Sequence, residues 1–173
     1  MNLALLSEQD LLDGHSARLT GRRRDHLVEV SRAGEGDTLP VGVEDGLMGT
    51  GTVTCLTDTM AELRLALDQP PPPPLPLTLI LAMPRPKMFR RVLQTVAALG
   101  VKEIWLINSY KVEKSFWQTP WLQPEHLREN LTLGLEQAMD TGMPRVHIRQ
   151  RFKPFVEDEL PALLVHRQHE VEQ

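Results

Sequence analysis

Five consecutive prolines, Pro70 to Pro74, followed by Leu75 and Pro76, constrain this chain more than any other segment. Proline has no backbone N–H and fixes φ near −65°, so the run can enter neither a helix nor the interior of a sheet. It is predicted to form a polyproline II rod of roughly 15 Å, at about 3.1 Å per residue, holding two small domains at a set distance. The alternative is a long proline loop within one domain. The predicted division is residues 1–69 as one domain, 70–76 as linker and 77–173 as a second domain.

Before the prolines the chain reads as β-rich. Thr38 to Val43 leads into Glu44-Asp45-Gly46, with glycine expected to supply the positive φ of a tight turn. Gly49 to Leu56 reads as the return strand, with Val53 and Cys55 on one side. Leu63, Leu65 and Leu67 then alternate with polar or small residues, the period of a half-buried strand. Thr20 caps a predicted helix whose Leu27 and Val30 share a face. Short strands with closely spaced turns suggest a small barrel or sandwich.

After the prolines, strand and helix alternate. Leu77 to Met83 is a continuous apolar run, expected to be buried on both faces. Phe89, Val92, Leu93, Val96 and Leu99 recur at helical spacing before Gly100. Glu103 to Ile107 is a second buried strand, and Pro124 opens a helix whose inner face is Leu127, Leu131, Leu135 and Met139. Val146 to Ile148 reads as a third strand, Phe155 to Leu163 as a short helix, and Leu164-Val165 as the opening of a fourth strand. Such alternation means a mostly parallel α/β sheet.

The net charge of −4 hides an asymmetry. Residues 1–69 carry 6 Lys+Arg and 12 Asp+Glu; residues 70–173 carry 13 and 11. Local basic patches, rather than the total, decide whether a polyanion binds. Cys55 is the only cysteine, which excludes an internal disulfide and a Cys-based zinc site. The six histidines show no paired ligand spacing on one helix and no HExxH is present, so no metal is expected. No apolar run approaches the ~18 residues of a membrane span, and the start lacks a basic leader, so a cytoplasmic protein with no membrane partner is expected.

Three segments carry candidate chemistry. Arg22, Arg23 and Arg24, with His26, occupy the first turns of a predicted helix, where free N–H groups and guanidinium forks suit RNA phosphates. A solvated basic turn balanced by Asp25 and Glu29 is the alternative. Arg85, Lys87, Arg90 and Arg91 follow a buried strand and open a helix, the usual place for ligand groups in an α/β sheet. In Asn108 to Trp117, polar, basic and aromatic residues interleave, as stacking on a nucleotide would require, or Trp117 and Trp121 simply cover the core. Glu136 and Gln137 late on the third helix are either part of a site or an exposed pair.

These residues together have a familiar order. Arg24-Asp25-His26-Leu27, Gly36-Asp37, Asp45-Gly46, Pro86-Lys87-Met88, Ala98-Leu99-Gly100-Val101, Glu113-Lys114-Ser115 and Glu136-Gln137-Ala138 resemble the RsmE family. Those enzymes methylate N3 of a uridine in 16S ribosomal RNA. The resemblance implies an α+β two-domain fold: an N-terminal PUA-like β-barrel that binds RNA, and a C-terminal α/β SPOUT (trefoil-knot) domain that dimerises and binds S-adenosyl-L-methionine. It implies RNA-binding roles for Arg22, Arg24, His26 and Lys87, and an active-site rim of Glu113, Lys114, Ser115, Glu136 and Gln137. It implies partnership with 16S ribosomal RNA or the small ribosomal subunit. The family's Gly-Pro-Glu-Gly-Gly cofactor loop has no counterpart, because no glycine follows Gly142. The SPOUT domain is therefore expected to be incomplete and this chain to be inactive alone. The competing expectation is a non-catalytic RNA-binding or ribosome-assembly module.

Overall fold

The computed structural model describes residues 2–29 and 32–164. Two sheets organise it. The first has six strands: β1 (Ala4–Leu6), β2 (Leu11–Asp13), β3 (Ser16–Thr20), β4 (Thr38–Val43), β5 (Met48–Leu56) and β6 (Met60–Gln69). Their order is β1-β4-β5-β6-β3-β2, antiparallel except where β1 meets β4. This order forces curvature. A flat six-stranded sheet would place its edges roughly 24 Å apart, at ~4.8 Å per strand. Only residues 7–10 join edge β1 to edge β2, a reach of at most about 17 Å at ~3.4 Å per residue. The sheet therefore curls around Leu6, Leu19, Val41, Val53 and Leu63, and α1 (Gly21–Glu29) adds Leu27 to that core.

The second sheet is parallel, in the order β7 (Thr78–Ala82), β8 (Glu103–Ile107), β9 (Arg145–Arg149). On one face Leu79, Leu81, Ile104, Leu106, Val146 and Ile148 pack under α2 (Pro86–Ala98) and α3 (Pro124–Ala138). The two helices cross closely at Gly134, where a Cβ would stand 2.3 Å from the Gln94 carbonyl oxygen. Asn130, buried at the same crossing, accepts from Gln94 at 2.9 Å and donates to the His126 carbonyl at 2.7 Å, so its amide is not left bare. On the other face, α4 (Phe152–Pro154) runs on through a wider π-type turn to Leu164 and lays Phe155 against Trp105 and Ile107.

β1 is the seam between the two sheets. By strand alternation Ala4 and Leu6 enter the core of the curled sheet, whereas Leu3 and Leu5 enter the core beneath α2 and α3. Around the seam, Asn2 and Leu3 donate to the Glu136 carbonyl at 3.0 Å, Asp45 donates to the Thr141 carbonyl at 2.8 Å, and Arg128 pairs with Glu44.

Four expectations change. The prolines do not hold the sheets apart: the sheets touch directly, and Pro71, Pro72 and Pro74 line a small cavity beside Lys102 and Arg145. β7 is an edge strand whose Ile80 and Ala82 are exposed, because α4 covers β8 and leaves the outer face of β7 without a layer. Leu164 is helical rather than the start of a strand, and Val165 lies outside the described residues, as does Val30. At the β4–β5 turn the left-handed residue is Asp45 (φ 54°), not Gly46; asparagine and aspartate tolerate that region.

Candidate functional site

Parallel strands present their carboxyl ends together, and here those ends meet three basic or polar segments. After β7 come Arg85, Lys87, Arg90 and Arg91; after β8 come Asn108 to Lys114; after β9 comes Arg151. α2 forms because Pro86 occupies its first turn, where a missing N–H costs nothing, and because Phe89, Leu93, Val96 and Ala97 make one buried stripe. That stripe turns Lys87 and Arg91 to solvent. Arg85, Lys87, Arg91, Lys111, Lys114 and Arg151 are all exposed, and none has an acid partner among the described residues. Tyr110 is fully exposed beside them. Trp117 donates from Nε1 to Asn108 Oδ1 at 3.3 Å and packs on the core, so it braces the loop; Trp121 also packs there while its ring carries the Arg90 guanidinium.

The arginines of α1 are placed differently. Arg22 reaches Glu136 at 3.2 Å. Arg23 forks onto Asp10 and donates to the Leu5 carbonyl at 2.8 Å. Arg24 donates twice to the Thr57 carbonyl, at 2.6 and 3.0 Å. His26 is half-buried, and burial, aided by the nearby Arg22 charge, lowers its pKa and disfavours the imidazolium. This turn ties α1 to β1 and to α3.

The candidate rim does not assemble as one site. Glu113, Lys114 and Ser115 are exposed after the carboxyl end of β8. Glu136 lies near the far end of α3, which at 15 residues is about 22 Å long and leads back to the amino ends of the strands. Its side chain is 1% exposed, and burial raises its pKa while Arg22 only partly opposes the shift. Gln137 faces solvent, and its carbonyl accepts from Asn2 at 2.8 Å. Spacing on α3 carried no such signal: five residues past Leu131 is about 140° round the helix, off the apolar stripe, and Glu136 is buried because β1 and Arg22 dock against that side.

Two adjoining concavities of about 490 and 310 Å³ lie at the junction of the curled sheet with α3, sharing Ser7, Glu44 and Arg128. Glu8, Asp45, Glu125 and Glu129 also line them, with Arg22 and Arg23 on the side of the second, so five carboxylates face three guanidiniums and the lining is acidic on balance. The carboxyl edge of the second sheet is the basic surface.

Residues 71–172 match the model of the RNA methyltransferase domain family. The chain belongs to that family. The ribosomal RNA small subunit methyltransferase E of Treponema pallidum is 27% identical over 158 residues, spanning 90% of this chain and 59% of the relative. The chain therefore spans about three fifths of that relative's length. A Neisseria gonorrhoeae ribosomal RNA small subunit methyltransferase E bound to S-adenosyl methionine superposes with a TM-score of 0.71 at 20% identity, over 91% of this chain and 65% of that one. A Legionella pneumophila methyltransferase in complex with the same cofactor gives 0.70 at 17%, over 92% and 66%. At these identities the structural likeness establishes the shared fold of this methyltransferase domain.

The residues described do not by themselves fit the cofactor those relatives hold. Asn108 Oδ1 accepts from Trp117 Nε1, and Arg149, its guanidinium over the Trp105 ring, donates from Nε to both Glu159 oxygens at 2.6 and 2.7 Å. Close backbone approach to a ligand needs glycine, and none follows Gly142.

Proposed function

We propose that this chain serves S-adenosyl-L-methionine-dependent methylation of uridine N3 in 16S ribosomal RNA, and that the described residues supply its RNA-gripping part. The observation that carries the proposal is the exposed basic and aromatic carboxyl edge, where Arg85, Lys87, Arg91, Lys111, Lys114 and Tyr110 outnumber the single exposed acid Glu113, on a domain of the RNA methyltransferase family. In this reading residues 1–69 are a PUA-like barrel, 70–76 its connection, and 77–173 the front portion of a SPOUT domain that works as a homodimer. Lys87, Arg90, Arg91 and Lys114 contact the RNA backbone. Arg22, Arg23, Arg24 and His26 serve RNA indirectly, by fixing the curled sheet against α3.

The test is RNA binding and methyl transfer with small-subunit RNA and radiolabelled cofactor. The expected result is micromolar, salt-sensitive RNA binding with little transfer by this chain alone. Absence of RNA binding overturns the reading, and transfer at the rate of a full-length relative overturns the assignment to an incomplete domain. The occupied polar groups at the carboxyl edge favour one second reading, a non-catalytic RNA-binding or ribosome-assembly module. Calorimetric titration separates the two: saturable micromolar cofactor binding supports the enzyme, and RNA binding without it supports the module.

A further inference from the structure

Resting on the RNA-binding reading above, we propose that Arg90 is the phosphate-gripping fork of the carboxyl edge and that Trp121 is the residue that positions it. Arg90 lies one turn along α2 from Lys87, so the two share a flank of the helix. Its guanidinium carbon stands 4.2 Å from the centroid of the Trp121 ring, inside the ~6 Å range of a cation–π contact. Trp121 is itself held. Its backbone N–H donates to Thr119 Oγ1, its ring packs on the core beneath α2 and α3, and His126 meets it edge-on at 5.1 Å.

The arrangement lacks an acceptor. Arg90 Nε is buried without a hydrogen-bond partner, and no acceptor for the outer nitrogens is found among the described residues. A ring face stabilises a cation but accepts no conventional hydrogen bond, so a five-donor group lies over the ring with no acceptor among the described residues. A buried N–H such as this Nε is ordinarily hydrogen-bonded. The partner we assign is anionic, because Arg85, Lys87 and Arg91 lie within five residues of Arg90 in sequence and no acid occurs anywhere from Pro70 to Lys102. It must also be planar or bidentate to use a fork. A phosphodiester meets both needs, accepting two parallel N–H bonds where a lysine would offer only a point charge. Because the guanidinium already occupies one face of Trp121, the ring acts through Arg90 on that face and leaves it closed to a base.

The experiment is fluorescence anisotropy of a labelled single-stranded oligouridylate with the full 173-residue chain across a series of salt concentrations. Arg90→Gln and Trp121→Leu are each expected to weaken binding roughly fivefold and to flatten the salt slope by about 0.7, the loss of one phosphate contact on a single strand. Arg90→Lys keeps the slope but not the affinity. Trp121→Phe, which retains a ring face, restores most of both. The double variant Arg90→Gln/Trp121→Leu binds no more weakly than Arg90→Gln alone. Wild-type affinity and slope in Trp121→Leu, or additive losses in the double variant, overturn the inference while leaving the RNA reading intact. A wild-type chain that binds no RNA overturns both.

Discussion

Two helices of this chain begin with clusters of basic residues, and the structure uses them in opposite ways. In α1, Arg22, Arg23 and Arg24 turn inward to Glu136, Asp10 and the Thr57 carbonyl. In α2, Lys87 and Arg91 face solvent without acid partners among the described residues, and Arg90 rests on an indole ring. The residue types are alike; what differs is the supply of acids. Residues 1–69 hold two acids for every base, so a guanidinium there readily finds a carboxylate, whereas the stretch from Pro70 to Lys102 holds none. A basic motif becomes a binding surface when the fold offers it nothing to pair with.

The strongest way to break this contrast is to treat α1 as the RNA-binding turn and remove Arg23. Its partner Asp10 is buried, and the same guanidinium satisfies the Leu5 carbonyl on the seam strand. Arg23→Met strands a carboxylate and an acceptor, and is expected to cost about 2–3 kcal/mol, lowering Tm by roughly 5–10 °C, with RNA affinity of the folded protein nearly unchanged. Calorimetry and anisotropy on the same preparation check both halves. A variant of native Tm with lost RNA affinity would reverse the assignment.

The mirror experiment is Lys87→Gln/Arg91→Gln. Both side chains are exposed, so folding stability stays within about 0.5 kcal/mol. RNA binding is expected to fall roughly tenfold at moderate salt, with the salt slope reduced by about 1.4 for two lost contacts. Unchanged binding would remove the carboxyl edge from the interface.

Sequence made part of this visible. β6 was legible because Leu63, Leu65 and Leu67 alternate on a face that one core buries, and β4 and β5 because Asp45-Gly46 marks the turn between them. α2 and α3 were legible because proline openings and apolar stripes agree. β1, β2 and β3 were not, since strands of three to five residues carry too little pattern, and β1 serves two cores at once. Exposure of Ile80 was hidden because a strand's apolar run does not say which layers cover it. Pairing of Arg22 with Glu136 was hidden for a different reason: 114 residues separate the partners, and only the docking of the sheets joins them. The basic cluster on α2 was readable because its isolation from acids is itself a property of the sequence.

The smallest expected effect sharpens the contrast within α1 alone. Arg22 and Arg23 are neighbours, yet the carboxylates they face are displaced in opposite directions. Burial alone would raise the pKa of Asp10, but the Arg23 fork and the Ser7 N–H and O–H donors, at 2.7 Å, outweigh it and hold the pKa below the usual carboxylate range. Glu136 is buried more completely, and Arg22, itself half-exposed, reaches it only at 3.2–3.4 Å, so burial wins and its pKa rises. By linkage, Asp10 stabilises the fold above the ordinary carboxylate pKa near 4 and withdraws that stability as pH falls through its lowered value. Glu136 does the reverse: it favours the fold below that ordinary pKa and costs stability as pH climbs through its raised value. Carbon-13 carboxyl titration by NMR should therefore show Asp10 titrating below a typical surface carboxylate and Glu136 above it. Urea unfolding of Glu136→Gln should show a flatter rise and fall of stability between acidic and neutral pH than wild type. Titration of both groups on the same side would mean that the neighbouring arginines act as equivalent clamps, and that tightness of the fork does not decide which carboxylate this turn can keep charged.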